Sequence, residues 1–218
     1  MRKLLKRICI FFVAVFFLAA AVIGAGGYGM YRKALDKKSM FAMQEEIQAK
    51  DSYVSLEELP RDYIDSVVAV EDKRFYRHKG IDMIAIGRAL CNDIRAGALV
   101  EGGSTITQQL AKNQYFTQEK KLSRKAAELF MAVEMEEHFS KDEILELYVN
   151  SIYFGNGYYG VREASLGYYG KEPEALTQEE CMMLAGIPNA PSVYNPVDNR
   201  ELAQERLAQV QNLIEKTD

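Results

Sequence analysis

Hydrophobic and polar positions divide this chain into two unequal regions. From Ile8 to Tyr31, 24 residues pass without a charge, which as a helix is long enough to cross a hydrocarbon core of about 30 Å. Beyond residue 38 the apolar positions recur at helical spacing instead. Ile64, Val67, Val68 and position 71 stand at i, i+3, i+4 and i+7. Ile144, Leu147 and Tyr148 form a second stripe, and Leu202, Val210 and Ile214 a third. Ser55 with Glu58, Ser140 with Glu143, and Thr177 with Glu180 have capping-box spacing ahead of such patterns. Alternating strand signatures are scarce. Breakers gather at Gly97 to Gly103, Gly155 to Gly160 and Pro188 to Pro196. The pattern predicts a mostly α body with interior loops, in four parts: a tail at 1–7, a membrane-spanning segment at 8–31, a stalk at 32–54 with a polar helix over Met40 to Lys50, and one domain at 55–218.

Charge sharpens this picture. Arg2, Lys3, Lys6 and Arg7 precede the apolar run, and Arg32, Lys33, Lys37 and Lys38 follow it. The near-even flanks leave orientation to the usual dominance of the N-terminal cluster, which places the tail in the cytoplasm. A cleaved secretory signal is the alternative, with Ala19 to Ala21 as the cut, but the run outlasts a signal core of about 7–15 residues. Both readings put residues 39–218 outside the cytoplasm. That remainder carries 19 Lys/Arg against 30 Asp/Glu, so nucleic acid is excluded as a partner and an anionic substrate requires a local basic patch. Two histidines and three cysteines cannot build a multi-Cys/His zinc site or a disulfide framework. Cys91 and Cys181 are expected as two buried thiols.

Four segments could carry chemistry. In VVAVEDKRFYRHKGID, Glu71 falls on the apolar stripe, where a carboxylate is either paired with a cation or held with a raised pKa. The alternative is a helix C-terminus with a charged last turn, Gly80 as its cap and His78 as a structural histidine. In EGGSTITQQLAKN, Gly102-Gly103 frees the backbone ahead of Ser104, Thr105, Thr107, Gln108 and Gln109. That density of neutral donors and acceptors suits a hydroxyl-rich or phosphate-bearing ligand, or simply a polar helix start. In KKLSRKAAELF, Lys120, Lys121, Arg124 and Lys125 join Lys112 as the required basic patch, ahead of Glu128 on a helix capped by Ser123. Cations beside a second carboxylate could hold a pyrophosphate, directly or through a divalent ion; a solvated helix face is the plain account. Finally, Glu146 shares a helix face with Asn150, beside an aromatic-glycine loop at 153–160 that could floor a sugar site.

Taken together, these segments resemble glycosyltransferase family 51, the peptidoglycan polymerases found as monofunctional enzymes and as the N-terminal half of class A penicillin-binding proteins. The likeness covers about residues 55–200 through five ordered motifs: EDKRFYRHKGID at 71–82, GGSTITQQLAKN at 102–113, RKAAE at 124–128, KDEILELYVNSIYFG at 141–155, and YYGK to LAGIPNAPSVYNP at 168–196. The resemblance implies an all-α, lysozyme-like, two-lobed glycosyltransferase domain behind one N-terminal transmembrane helix. It implies Glu71 as catalytic base and Glu128 as the second essential carboxylate, a possible metal ligand. Lys112 matches a phosphate-binding lysine, and Ser104, Gln108 and Gln109 line the cleft, with Arg88 in contact with substrate. Asp72, Phe75, His78, Gly103, Thr105, Asn113, Lys120, Arg124, Lys125, Glu146 and Asn150 complete the expected substrate-binding set. Where some members carry arginine this chain has Lys120, and a point charge does not replace a bidentate fork.

The implied reaction polymerises lipid II onto a growing lipid-linked strand, with Mg²⁺ or Mn²⁺ as cofactor, at the plasma membrane and alongside other cell-wall synthesis proteins. Two rivals stand beside it. A lysozyme-like muramidase uses two carboxylates on the same polymer but has no anionic leaving group for the basic patch to hold. A catalytically silent, membrane-anchored glycan-binding module has no need of Glu71 and Glu128. An end at Asp218 is expected for a monofunctional enzyme, although a piece of a longer penicillin-binding protein would read identically.

Overall fold

The computed structural model describes residues 2–98, 102–117 and 121–215. Its helices are α1 (Arg2–Lys37), α2 (Met40–Gln48), α3 (Arg61–Glu71), α4 (Met83–Ala96), α5 (Ile106–Tyr115), α6 (Leu122–His138), α7 (Lys141–Val149), α8 (Val161–Tyr169), α9 (Gln178–Gly186) and α10 (Arg200–Glu215). Among the described residues there is no strand, only two isolated antiparallel bridges. The fold is all-α and lysozyme-like, as the pattern and the resemblance imply.

Helix α1 is long and apolar enough to cross a membrane. Its first twenty or so residues are exposed on every side, but Gly27 and Tyr31 are buried against α6 before the apolar run ends. Ser39 caps α2, accepting a hydrogen bond from the Ala42 amide at 3.1 Å. The polar stalk expected at 40–50 is instead an amphipathic core helix: Met40, Met43 and Ile47 are buried on the main cluster. The Ser55, Ser140 and Thr177 capping boxes all form, the first at a short 3-10 turn over Leu56–Glu58.

Helix α3 buries Tyr63, Ile64 and Val67, as its stripe requires, and ends at Glu71. It does not run on to a Gly80 cap. Asp72 leaves the helical region at φ −156°, a single turn follows at Phe75–Arg77, and Gly80 sits at φ +78° inside the return. A side chain there would come within 2.8 Å of the Ala132 carbonyl on α6, so only glycine lets the loop lie flat on that helix. Helix α6 begins at Leu122 behind Lys121, and Ser123 lies within it rather than capping it.

Two further expectations are revised. The stripe on α10 consists of Ala203, Leu207 and Val210, with Leu202 exposed. Cys181 is buried as expected, but Cys91 is exposed on α4, and both are free thiols. Helix α4 is not a core helix: it buries only Ala89 and presents Met83, Ile84, Leu90 and Ile94 to its surroundings. Such a contiguous apolar face marks a membrane or partner surface.

Glu146 and Asn150 tie the segment before α3 to α7. The Val54 amide donates to Asn150 Oδ1 at 2.9 Å, and Asn150 Nδ2 donates back to the Val54 carbonyl at 2.8 Å. Glu146 accepts from the Leu56 amide at 2.6 Å and from the Tyr53 hydroxyl. Both residues, expected beside a sugar, therefore serve as a tether. Replacing Asn150 by Leu strands two buried backbone groups, and we expect a loss of about 1–3 kcal/mol in urea or thermal unfolding; an unchanged midpoint would show the tether to be idle.

Candidate active site

Two adjacent acids end α3 and meet opposite fates. Asp72 turns inward and is buried. Its Oδ2 accepts the first helical amide of α5, Ile106 N, at 3.1 Å and lies 2.8 Å from His78 Nε2. A carboxylate at a helix N-terminus meets both a free N–H and the positive end of the dipole. Asp72 thereby docks α5 on the end of α3. Thr105 caps the same helix, accepting from Gln108 N at 3.1 Å, and donates to the Gly80 carbonyl at 2.7 Å.

Glu71 points the other way. Gln109, one turn into α5, donates from Nε2 to Glu71 Oε2 at 2.6 Å, while its own Oε1 faces the Tyr148 hydroxyl of α7 at 3.4 Å. Glu71 Oε1 is buried with no hydrogen-bond partner. Burial pushes the Glu71 carboxyl above the usual range; the Gln109 bond and the positive charges of Arg206 and Lys112 pull it partway back. A partnerless carboxylate oxygen with a raised pKa meets the requirement for a general base.

One turn further along α5, Lys112 opens the cationic side. Burial lowers its pKa, as does the neighbouring Arg124, while Glu71 raises it. On α6, Arg124 pairs with Glu128, and Lys125 Nζ lies 3.1 Å from Glu128 Oε2 and 2.6 Å from Ser104 Oγ. Burial, with Arg124 and Lys112 alongside, brings Lys125 down to about 8 despite the Glu128 carboxylate. Glu71, Lys112, Arg124, Lys125 and Glu128 thus form one electrostatically connected row, from the partnerless Glu71 oxygen through Lys112 to Arg124 and Lys125, which pair with the buried Glu128.

The row offers little to a resident divalent ion. Glu128 is a lone carboxylate whose two oxygens already face Arg124 and Lys125, a donor set that does not fit a protein-held Mg²⁺ or Mn²⁺. Among the described residues, three ligand-type side chains converge only at Asp72, His78 and Asp82. There Asp72 is committed to His78 and α5, and Asp82 to Arg74 and the Ala85 amide.

Comparison with known proteins identifies the family of the domain that holds this row. The transglycosylase family model matches residues 37–215. The chain belongs to the transglycosylase family. It is 50% identical over 153 residues to penicillin-binding protein 1F of Bacillus subtilis, covering 70% of this chain and 21% of that protein. It is 47% identical over 157 residues to penicillin-binding protein 1A of Aquifex aeolicus, covering 72% and 22%. With penicillin-binding protein 1A of Streptococcus oralis it shares 37% over 223 residues, covering 94% and 35%. The chain thus spans about a fifth to a third of these relatives.

Within this transglycosylase domain, the expected site residues divide by position. Glu71, Ser104, Gln108, Gln109, Lys112, Arg124, Lys125 and Glu128 lie together. Asp72, His78 and Thr105 stand behind them as supports. Phe75 is fully buried under the Lys141 ammonium, 4.3 Å from its ring centre, and belongs to the core. Gly103 packs 3.3 Å from the Ile86 backbone, measured from where a side chain would begin, and so seats its loop on α4. Arg88 and Asn113 are exposed, on α4 and on the outer face of α5; Lys120 lies outside the described residues. Sequence reasoning missed Arg206. It reaches from α10 to influence Glu71, held by the Gly186 carbonyl at 3.2 Å and the Tyr194 ring. An arginine on the polar side of a terminal amphipathic helix gives no local sign of that role.

These titrations set a pH dependence. Activity should follow a bell: the acid limb tracks Glu71, above the ordinary glutamate range, and the alkaline limb falls as Lys125 discharges near pH 8. Lys125→Arg keeps its charge and should move the alkaline limb upward, read from initial rates between pH 5 and 10. Stability runs in the opposite sense. Because the folded Glu71 pKa exceeds the unfolded one, its favourable contribution is present below the unfolded value and lost as pH rises through the folded one. Glu71→Gln should therefore melt higher than the parent near pH 8, with the difference vanishing below about pH 4.

Proposed function

We propose that this protein is an inverting peptidoglycan glycosyltransferase that polymerises lipid II into β-1,4-linked glycan strands for bacterial cell-wall synthesis. The observation that carries this reading is the continuity of the partnerless Glu71 Oε1 with the Lys112, Arg124 and Lys125 cluster. A base and a cationic cradle in one row match a reaction that takes a proton at one end and releases a diphosphate at the other.

The growing glycan occupies the cationic side through its lipid pyrophosphate, and lipid II approaches Glu71. Glu71 Oε1 accepts the proton of the acceptor 4-hydroxyl as that oxygen attacks C1 of the donor sugar. The C1–O bond to the pyrophosphate breaks on the opposite face, and its electron pair leaves with undecaprenyl pyrophosphate, inverting the anomeric centre. Negative charge grows on the leaving group, so Lys112, Arg124 and Lys125 bind it most strongly in the transition state. Glu128 spaces Arg124 and Lys125 rather than reacting. Gln109 holds Oε2 and keeps Oε1 aimed at the acceptor. Mg²⁺ or Mn²⁺ would enter as the counter-ion of the pyrophosphate, supplying charge neutralisation.

In this reading α1 holds the enzyme in the plasma membrane with its catalytic domain outside the cytoplasm, on the same surface as its lipid-linked substrates. The exposed apolar face of α4 rests at the bilayer edge, and other cell-wall synthesis proteins are the natural partners. The cationic cluster argues against a muramidase, which has no anionic leaving group.

Full-length protein in detergent micelles, incubated with labelled lipid II and Mg²⁺, should produce polymer that lysozyme digests. Glu71→Gln should lower the rate by roughly 10²–10⁴-fold, the usual contribution of a positioned general base, with folding intact. Shortening of preformed strands, or polymer formed at the parental rate by Glu71→Gln, would overturn the reading.

A further inference from the structure

The mechanism gives α1 no task beyond anchorage, yet α1 packs on the helix that carries the cationic cluster more extensively than on any other. From Gly27 to Tyr31 it runs parallel to α6 from Ser123 to Glu134, in three successive contacts. Gly27 lies on Ser123, Ala126 and Ala127. One turn on, the Tyr28 and Tyr31 rings pack on Phe130, with centroids 5.6 and 6.0 Å away. The Tyr31 hydroxyl then donates to Glu134 Oε2 at 2.6 Å.

The first contact leaves no room. A Cβ at position 27 would lie 2.5 Å from Ala126 Cβ, 2.9 Å from the Ser123 carbonyl oxygen and 3.0 Å from the Ala127 amide nitrogen. Two of those three atoms are backbone, so no change of rotamer relieves the clash; one helix must move. The residues touched alternate in sequence with Arg124, Lys125 and Glu128, which face the cleft from the other side of the same two turns. Gly80 holds α6 at Ala132, one turn beyond Glu128.

We propose that Gly27 is a positioning residue for the transferase. Its side-chain-free crossing with α6 sets where Arg124 and Lys125 stand relative to Lys112 and Glu71, so the membrane anchor is a wall of the catalytic domain as well as a tether. Interiors transmit displacement because they are close-packed, and a shift of about 1 Å in a reacting constellation can cost on the order of 10²-fold in rate.

The control lies on the same helix. Gly29 is exposed, with open space where its side chain would be. Full-length Gly27→Ala, Gly27→Leu and Gly29→Leu proteins, in micelles, are compared for kcat and KM on lipid II, for inorganic pyrophosphate as a directly titrated ligand and as an inhibitor, and for melting temperature. We expect Gly27→Ala to lose roughly tenfold and Gly27→Leu roughly a hundredfold in kcat. Pyrophosphate inhibition should weaken in parallel, with melting near the parental value and Gly29→Leu unchanged. Ala126→Gly in the Gly27→Ala background removes the nearest clash and should restore part of kcat. Parental kcat and pyrophosphate inhibition in Gly27→Leu overturn the proposal. So do equal losses in Gly29→Leu, or losses in both Gly27 variants that only track a lowered melting temperature. The kinetic readouts rest on the polymerase reading, whereas direct binding of inorganic pyrophosphate, expected to weaken in both Gly27 variants and not in Gly29→Leu, reports on the cationic cluster without turnover. A parent that makes no polymer therefore counts against that reading and not against the positioning role.

Discussion

Everything at this site depends on how α5 is fastened to the end of α3. Asp72 accepts the leading amide of α5 and so fixes that helix in place and rotation. Gln109 and Lys112 follow at successive turns of the same face. The first reaches the neighbouring acid, Glu71, and the second sets a cation within its field. One backbone-to-carboxylate bond thereby places Glu71, the Gln109 amide that holds it and the Lys112 charge beside it. His78 steadies Asp72 from behind, and Thr105 and Gln108 pin the α5 start to Gly80.

The arrangement carries a cost that reveals its purpose. A fold selected for stability alone would pair Glu71 directly or replace it with an amide, because burying a charge with one hydrogen bond is unfavourable. Here one oxygen remains partnerless, and the compensating charges of Lys112 and Arg206 act from a distance. The second carboxylate, Glu128, shows the contrasting solution: more deeply buried than Glu71, it is matched by Arg124 and Lys125. On the proposed reading, that divergence separates a reacting acid from a scaffolding one.

Helix α6 joins the cationic cluster to α1. One face carries Arg124 and Lys125, the opposite face receives α1 at Gly27, and Gly80 presses on its middle. Apolar side chains of α1 and α4 are both left uncovered. On the proposed reading, such exposed apolar side chains suit an enzyme whose substrates are held in a bilayer.

Much of this was legible in the residues. The uncharged run of Ile8 to Tyr31 announced one long apolar helix, the capping boxes placed three helix starts, and the i, i+3, i+4, i+7 stripe put Glu71 on the inward side of α3. Those features are local, and local spacing determines which way a helical side chain points. Other assignments needed contacts remote in sequence. The helix over Met40 to Gln48 reads as a polar stalk until three of its side chains meet the core, and Glu146 and Asn150 read as sugar ligands until the Val54 segment folds onto them. Arg206 carries no local sign at all. Sequence alone determined the helical class, most helix starts and the family. Only the tertiary structure decided which polar groups became supports, which oxygen of Glu71 was left unpartnered, and that the anchor packs on the helix bearing the cations, because each depends on atoms distant in the chain meeting within a few ångströms.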